Sequence, residues 1–238
     1  MHCSPPWREY FLLDPEFPQR LNHTGFDRSV DFIQFLFEKY AQSDLTKKSD
    51  RDVAISGLVN RIENVLQTEA RYGIFARYLH RLLLWRRTDE NMRGIVYGDQ
   101  QFPSWSWMTY SDIKFLPLGR LKVPIYTDLR FDTERRDVLL VQVRAIQSCS
   151  LELKEGRHVI VDANSRVVGD LWLDITSNTY FQYCIVIGME DEIRVDPEKT
   201  YYILLVEEIP SENECKRIGV GNIKARCVSR ESWERKLL

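Results

Sequence analysis

The sequence predicts an α+β fold, in which a helical layer of about three helices precedes an antiparallel β-sandwich or barrel-like domain. In the first part of the chain, apolar residues recur at the 3.6-residue spacing of a helix. From about Phe102 onward they form short, β-branched-rich runs separated by turn residues. These patterns divide the 238 residues into an irregular leader over 1–26, a helical region over 27–100 and a β-rich domain over 101–238 with a short C-terminal helix.

The first two predicted helices are marked by apolar residues three and four positions apart. In the first helix these residues are Val30, Ile33, Leu36, Phe37 and Tyr40. In the second they are Ile55, Leu58, Val59, Ile62, Val65 and Leu66. Asp27 or Ser29 is expected to cap the first helix and Ser49 the second, because short polar side chains accept hydrogen bonds from the first free N–H groups. Gly57, inside the second helix, is expected to allow close packing.

A third helix is predicted over 74–85. Its inner face would consist of Phe75, Leu79, Leu82 and Leu83. The basic pair Arg86-Arg87 follows directly, and cations favour the negative end of the helix dipole. We therefore interpret these two arginines as charges at the helix C-terminus.

The β-rich domain is predicted from short apolar runs. The expected strands cover 137–145, 158–162, 167–175, 181–187, 201–209 and 215–225. Glu155-Gly156 and Asn164-Ser165 are expected to form turns between strands. A helix over 229–238, capped by Ser229 and burying Trp233, is expected to close the domain.

The most unusual local string is Pro103-Ser104-Trp105-Ser106-Trp107. On a strand it would place both indoles on one face and both hydroxyls on the other. Two interpretations remain open. The tryptophans brace the helical layer against the sheet, or they form an exposed stacking platform for sugars or bases, together with Trp172. Because large aromatic residues are mostly buried, we expect at least one indole of the string to be buried.

Composition limits the classes of partner and the cellular compartment that we expect for the protein. Lys and Arg number 33 against 35 Asp and Glu, and this net charge of −2 lacks the basic surplus of a nucleic-acid binder. No apolar run approaches the roughly 18 residues of a membrane helix. The five cysteines are odd in number and scattered, which favours reduced thiols. We therefore expect a cytoplasmic protein that binds neither nucleic acid nor membranes.

No signature of catalysis is found in the sequence. The four histidines lie at no metal-ligand spacing, and neither a G-x-S-x-G string nor a phosphate-binding loop is present. His80 is interpreted as a surface or capping residue. The sequence therefore predicts no catalytic residue, no metal, no cofactor and no enzyme activity.

Several short strings in the first half of the chain together resemble one family. They are Tyr40-Ala41-Gln42-Ser43-Asp44-Leu45-Thr46, Asp50-Arg51, Ala54-Ile55-Ser56-Gly57, Gly73-Ile74-Phe75, Leu84-Trp85 and Pro103-Ser104-Trp105-Ser106-Trp107. In this arrangement the chain resembles the fungal heterokaryon-incompatibility (HET) domain proteins, and the last string is the most specific. By this resemblance Tyr40, Leu45, Thr46, Asp50, Arg51, Gly57, Gly73, Leu84, Trp85, Pro103, Ser104, Trp105, Ser106 and Trp107 are motif residues with an expected structural role.

The chain also departs from the family. Ala41 stands where the family usually has Ser, and Ile74-Phe75 replaces a Leu-Trp pair. The defining HET domain, which is related to the Toll/interleukin-receptor fold, lies upstream of these strings and contains a Trp-hydrophobic-Asp string and a Cys-Ile-Asn-Gln string. Neither stands upstream of the shared strings here: Cys-Ile-Asn-Gln is absent, and Trp172-Leu173-Asp174 lies downstream of them. The chain thus resembles the region downstream of that domain.

The resemblance implies a role in fungal self/non-self recognition and programmed cell death. The chain would act as a scaffold or recognition module for a protein partner or the upstream effector domain, without a catalytic centre of its own. The alternative, from a different class, is a free-standing ligand-binding β-domain that uses an exposed Trp platform. The sequence does not define the oligomeric state.

Overall fold

The computed structural model describes residues 17–43, 50–89, 92–97, 102–118, 121–123, 128–174, 181–190, 198–209 and 213–238. Its α-helices are α1 (Phe26–Ala41), α2 (Arg51–Leu66) and the short α3 (Leu79–Leu82). They precede a barrel-like sheet, which confirms the predicted α+β fold.

The strands of the described residues follow in chain order. They are β1 (Ala70–Arg71), β2 (Ile74–Phe75), β3 (Trp85–Arg87), β4 (Ile113–Phe115), β5 (Leu121–Lys122), β6 (Arg130–Phe131), β7 (Leu139–Ala145), β8 (Cys149–Lys154), β9 (Arg157–Asp162), β10 (Val167–Leu173), β11 (Tyr183–Glu190), β12 (Thr200–Ile209), β13 (Glu214–Lys224) and β14 (Trp233–Leu237). Single 3₁₀ turns lie at Gln19–Asn22, Ala76–Tyr78, Trp107–Thr109 and Ala225–Cys227.

Five strands close into a ring in the order β12-β11-β7-β14-β13, and pairing between β12 and β13 completes it. The pairs in this ring are antiparallel except for β13 and β14, which run parallel at Glu214–Lys236 and Cys215–Leu237. Three further strands, β10, β9 and β8, continue the sheet outward from the middle of β13. Closure leaves none of the five ring strands at an edge of the sheet.

Both faces of β11 and β12 are buried over their middle residues, Cys184–Gly188 and Ile203–Val206, which explains the nearly continuous apolar sequences there. Successive residues of a strand point to opposite faces. In β11, Ile185 belongs to one hydrophobic cluster and Val186 to another, and in β12 Leu204 and Leu205 are divided in the same way. The first cluster also contains the buried residues of the helices, so one core runs from the helical layer into the barrel.

The two long helices agree with the predicted apolar patterns. In α1, Val30, Ile33 and Phe37 are buried, and in α2 Ile55 and Ile62 are buried. The predicted caps are wrong for α1. Gly25 lies at its N-cap with φ of 80°, no side chain caps the helix, and the Ser29 hydroxyl donates to the Leu21 carbonyl at 2.9 Å.

Two further local predictions concern α2. Ser49 lies outside the described residues, and Asp50 occupies the N-cap without a side-chain cap. Gly57 does not allow close packing, because it is exposed and a Cβ there would meet no atom within 4 Å.

The third predicted helix, over 74–85, is mostly wrong. This segment starts with the hairpin of β1 and β2, passes through a 3₁₀ turn and α3, and ends in β3, which pairs with β4. Leu82, Leu83, Leu84 and Trp85 are consecutive and all fully buried, so the segment has no polar face on which a surface helix could lie. Arg86 and Arg87 therefore lie in a strand and not at a helix end.

The predicted helix over 229–238 is also wrong. Residues Trp233–Leu237 form β14, which fills the gap between β7 and β13. The backbone N–H and C=O groups of this segment pair with strands that are far away in sequence. The local sequence pattern does not indicate such pairing. Trp233 is half-buried, and its indole N–H donates to Glu208 Oε1 at 2.8 Å.

One buried arginine joins the barrel to the helical layer. Arg217, in β13, donates from Nε to Asp174 Oδ2 at 2.7 Å and from Nη1 to the Leu83 carbonyl at 2.8 Å. Its Nη2 donates to the Trp85 carbonyl, and the guanidinium carbon lies 3.5 Å from the Trp85 ring centroid. Burial lowers the pKa of Arg217, and Asp174 opposes this effect.

We expect Arg217→Met to lower the free energy of unfolding by about 3–5 kcal/mol, because it leaves the Asp174 charge buried without its partner. The matched control is Lys216→Met at the exposed neighbouring position, which should stay within about 0.5 kcal/mol of the parent. Urea denaturation measures both. Equal midpoints for the two variants would show that Arg217 does not hold the layers together.

Candidate functional site

Six of the fourteen motif residues meet in one region, which we call the tryptophan seam: Gly73, Trp85, Ser104, Trp105, Ser106 and Trp107. All but Ser104 are buried. The seam lies between the helical layer and the barrel. Leu45 and Thr46, which belong to the same motifs, lie outside the described residues.

Trp107 connects the seam to α1. Its ring stacks on Phe37 with 4.8 Å between centroids, and its Nε1 donates to the Gly73 carbonyl at 2.9 Å. Gly73 has a φ of 75° in the turn between β1 and β2. A Cβ at this position would lie only 2.6 Å from Trp107 Nε1. Both the backbone conformation and the space thus require glycine.

Trp105 connects the seam to the barrel. Its Nε1 donates to the Asp137 carbonyl at 3.1 Å, just before β7. Its own carbonyl accepts the indole N–H of Trp85 at 3.0 Å. Trp105 and Trp107 are both fully buried, which confirms the expectation that at least one indole is buried.

The strand predicted for 103–107 is wrong. The segment makes a turn and enters the 3₁₀ turn Trp107–Thr109, so the two indoles do not alternate along a strand. Ser106 explains the bend, because its hydroxyl accepts from the Met108 N–H at 3.1 Å and donates to the Tyr72 carbonyl at 2.8 Å.

Ser104 and Pro103 complete the string. The Ser104 hydroxyl accepts from the Arg217 N–H at 3.0 Å and donates to the carbonyl of Leu238. Pro103 is buried, and its carbonyl accepts from the Ser106 N–H at 3.0 Å. The hydroxyls of this string therefore bond to backbone groups and hold the β13 and C-terminal strands against the seam.

Arg51 plays a similar part at the start of α2. Its Nη1 donates to the Tyr110 carbonyl and its Nη2 to the Ala41 carbonyl, both at 2.8 Å. The Tyr40 hydroxyl in turn donates to the Arg51 carbonyl at 2.6 Å. Burial lowers the pKa of Arg51 and raises that of Tyr40.

The other motif residues are divided between the interior and the surface. Leu84 is buried, and its carbonyl accepts from the Leu116 N–H at 2.8 Å. Asp50 and Gly57 are exposed. The seam as a whole binds backbone groups of the protein itself, and its geometry suits it to hold two layers together.

Within the described residues, no group of three or more His, Cys, Asp or Glu side chains is placed to hold a metal ion. The cysteines that are described, Cys149, Cys184, Cys215 and Cys227, are free thiols. Burial raises the pKa of Cys184 and Cys215 to about 12, so these thiols stay protonated near neutral pH.

Cys149 and Cys227 form a contact that the sequence did not predict. Burial, with the hydrogen bond to the Cys227 side chain as the next contribution, raises the pKa of Cys149 to about 12. A thiol of this kind is a weak nucleophile at neutral pH.

His80 is mostly buried in α3, so its interpretation as a surface or capping residue is wrong. Its Nε2 has no hydrogen-bond partner among the described residues. Burial lowers the pKa of its imidazole to about 4. His80 is therefore neutral in the folded protein near pH 7.

Among the described residues, two surface clefts have a volume of about 460 Å³ each. In the first, between α1 and β4, the charged side chains pair with one another: Arg81 with Asp31 at 2.9 Å and Lys114 with Glu38 at 3.0 Å. This pairing leaves little charge for a ligand.

The second cleft lies where β3 meets β9 and β10. We call it the Trp172 cleft, and its lining includes Arg86, Arg157, Asp170 and Trp172. The sequence singled out Trp172 but not the arginines. Arg86 was missed because its strand was interpreted as a helix end, and Arg157 follows a turn with no local sign of function.

Comparison with protein families, curated proteins and solved structures found no match to this chain. In the part of the chain that the structure describes, no helix is long and apolar enough to cross a membrane.

We expect Gly73→Ala to destabilise the protein by about 2 kcal/mol or more, because the new Cβ overlaps the Trp107 indole and the positive φ becomes strained. The control is Gly57→Ala on exposed α2, which should add about 0.5–1 kcal/mol through helix propensity. Opposite shifts of the thermal midpoint are the expected result. A Gly73→Ala protein as stable as the parent would contradict the tight contact at Trp107.

A second prediction concerns pH. The pKa of His80 is about 4 in the folded protein and near 6.5 when unfolded, so the unfolded chain takes up the proton first. Stability should therefore fall as the pH drops from 6.5 to 4, by up to about 3 kcal/mol from this group. His80→Gln should remove that part of the pH dependence, whereas His23→Gln at an exposed position should retain it. Urea denaturation across this pH range compares the three proteins, and identical profiles would contradict the assignment.

Proposed function

We propose that this chain is the C-terminal region of a HET-family protein that acts in fungal self/non-self recognition. In this role it is a scaffold or recognition module for a protein partner or an upstream effector domain, and it has no catalytic centre of its own. The observation that carries the proposal is the tryptophan seam, in which six of the fourteen HET-like motif residues come together.

The seam supports the proposal because of what its side chains bind. Chance similarity would scatter over unrelated surface positions. Here Trp85, Trp105 and Trp107 each donate an indole N–H to a backbone carbonyl, and Ser104 and Ser106 also bond to the backbone. A string that makes this many specific bonds is required by the fold itself. The HET-like string is therefore part of the core of this protein, and this supports the proposal.

The alternative is a ligand-binding β-domain with a platform of three tryptophans. Two of these three side chains are not accessible to a ligand. Trp105 and Trp107 have no exposed surface to offer a ligand. Trp172 is partly exposed and lines a cleft, so a binding role for that residue is considered separately below.

The proposal is tested by growth assays in a filamentous fungus. We expect expression of this chain alone to leave growth unchanged, and expression of a longer product that includes an upstream HET domain to arrest growth and admit a vital dye. Trp107→Ala in the longer product should abolish arrest, because it opens the seam, whereas Val96→Ala at an exposed position should not. Arrest by the chain alone, or coding DNA upstream without the Trp-hydrophobic-Asp and Cys-Ile-Asn-Gln strings, would contradict the proposal.

A further inference from the structure

The Trp172 cleft has the size and the lining of a small-molecule site. Its volume of about 460 Å³ falls within the roughly 300–1,000 Å³ of such sites. It is formed by residues from β3, from β10 and from the turn that begins β9. Strands of a rigid sheet therefore position most of its lining.

The charges of the cleft favour an anion. Three arginines line it, Arg86, Arg87 and Arg157, against one carboxylate, Asp170. Arg86 has no carboxylate or carbonyl partner among the described residues. Arg157 is largely exposed, and its closest carboxylate, Glu155, lies 3.9 Å away and is itself exposed. These two guanidinium groups are therefore available to a ligand.

Arg87 adds a second observation. It is buried, and its Nη1 and Nη2 donate to the Met92 and Leu173 carbonyls at 2.8 and 2.9 Å. Its Nε is also buried but has no hydrogen-bond partner in the described part of the chain. A buried donor without a partner is unfavourable, and its positive charge adds to the field of the cleft.

The aromatic part of the cleft favours a flat group. Trp172 is partly exposed, and the Arg86 guanidinium carbon lies 5.3 Å from its ring centroid. An indole and a guanidinium together offer flat surfaces on which a ring can stack. The cleft thus places a stacking surface next to groups that bind anions.

We propose that the Trp172 cleft binds a small phosphorylated molecule with a flat ring, that is, a nucleotide. Arg86 and Arg157 bind the phosphate, whose oxygens match the paired N–H groups of a guanidinium. The ring packs against Trp172 and Arg86. This site is independent of the proposed HET role, since none of the seam residues lines it.

The test is calorimetric titration of the full chain with adenosine monophosphate, inorganic phosphate and adenosine. We expect adenosine monophosphate to bind at least about tenfold more tightly than either fragment, since it uses both parts of the cleft, and to bind more weakly at high salt. Absence of saturable binding would overturn the proposal. Phosphate binding as tightly as the nucleotide would overturn the ring contact, and adenosine binding as tightly would overturn the anion contact.

Substitutions of the lining residues test whether the nucleotide binds in this cleft. Arg86→Gln and Trp172→Leu should each weaken adenosine monophosphate binding about tenfold or more. The matched control for Arg86 is Arg77→Gln, because Arg77 is exposed and lies 5.9 Å from the Tyr78 ring in the same kind of contact. This control should bind as the parent does.

A substitution of Arg157 tests binding without a change in stability. Its side chain is 73% exposed, so Arg157→Gln should keep the denaturation midpoint and still weaken binding. Arg166→Gln, at an exposed position beyond the next turn, is its control. Parental affinity in both Arg86→Gln and Arg157→Gln would show that the nucleotide does not bind here.

Discussion

The contact between the helical layer and the barrel depends on the buried, charged side chain of Arg217. A buried guanidinium is tolerated only if its N–H groups are paired, since the loss of hydration is otherwise too costly. Arg217 satisfies this condition with Asp174 and with the carbonyls of Leu83 and Trp85. These partners come from the end of β10 and from the segment between α3 and β3. The side chain of Arg217, which belongs to the barrel, thereby fixes the position of the segment that connects the helical layer to the seam.

The same physical solution recurs elsewhere in the structure. Arg51, Arg71 and Arg87 are buried, and each donates to carbonyls of irregular segments or of segment ends, such as Ala41 at the end of α1 and Leu173 at the end of β10. Such segments leave carbonyls without partners in a helix or sheet, and buried carbonyls must be paired. The guanidinium fork can reach two of them at once. These three buried arginines therefore have a structural role, although Arg87 also lines the Trp172 cleft, whereas the N–H groups of Arg86 and Arg157 are available to a ligand there.

Local patterns predicted the parts of the fold that local interactions determine. The long helices α1 and α2 have a polar face, and β11 and β12 have continuous apolar runs, so both types of element were identified. The segments over 74–85, 103–107 and 229–238 were misassigned because distant contacts define them. Ser104, for example, bonds to Leu238, 134 residues away. The motif indicated which residues form the seam, but their partners are backbone carbonyls, which no sequence pattern identifies.

The position of the Trp172 cleft follows from the closure of the barrel. Because β12 covers one edge of β13 and β14 pairs with the start of its other edge, β10 pairs with the middle of that second edge, and β10, β9 and β8 extend away from the ring. The extension reaches β3, where Arg86 and Arg87 are consecutive and point to opposite sides. Arg87 is fixed inside by the Leu173 carbonyl of β10. The buried arginine thus holds β3 against β10, and this contact places Arg86 beside Trp172.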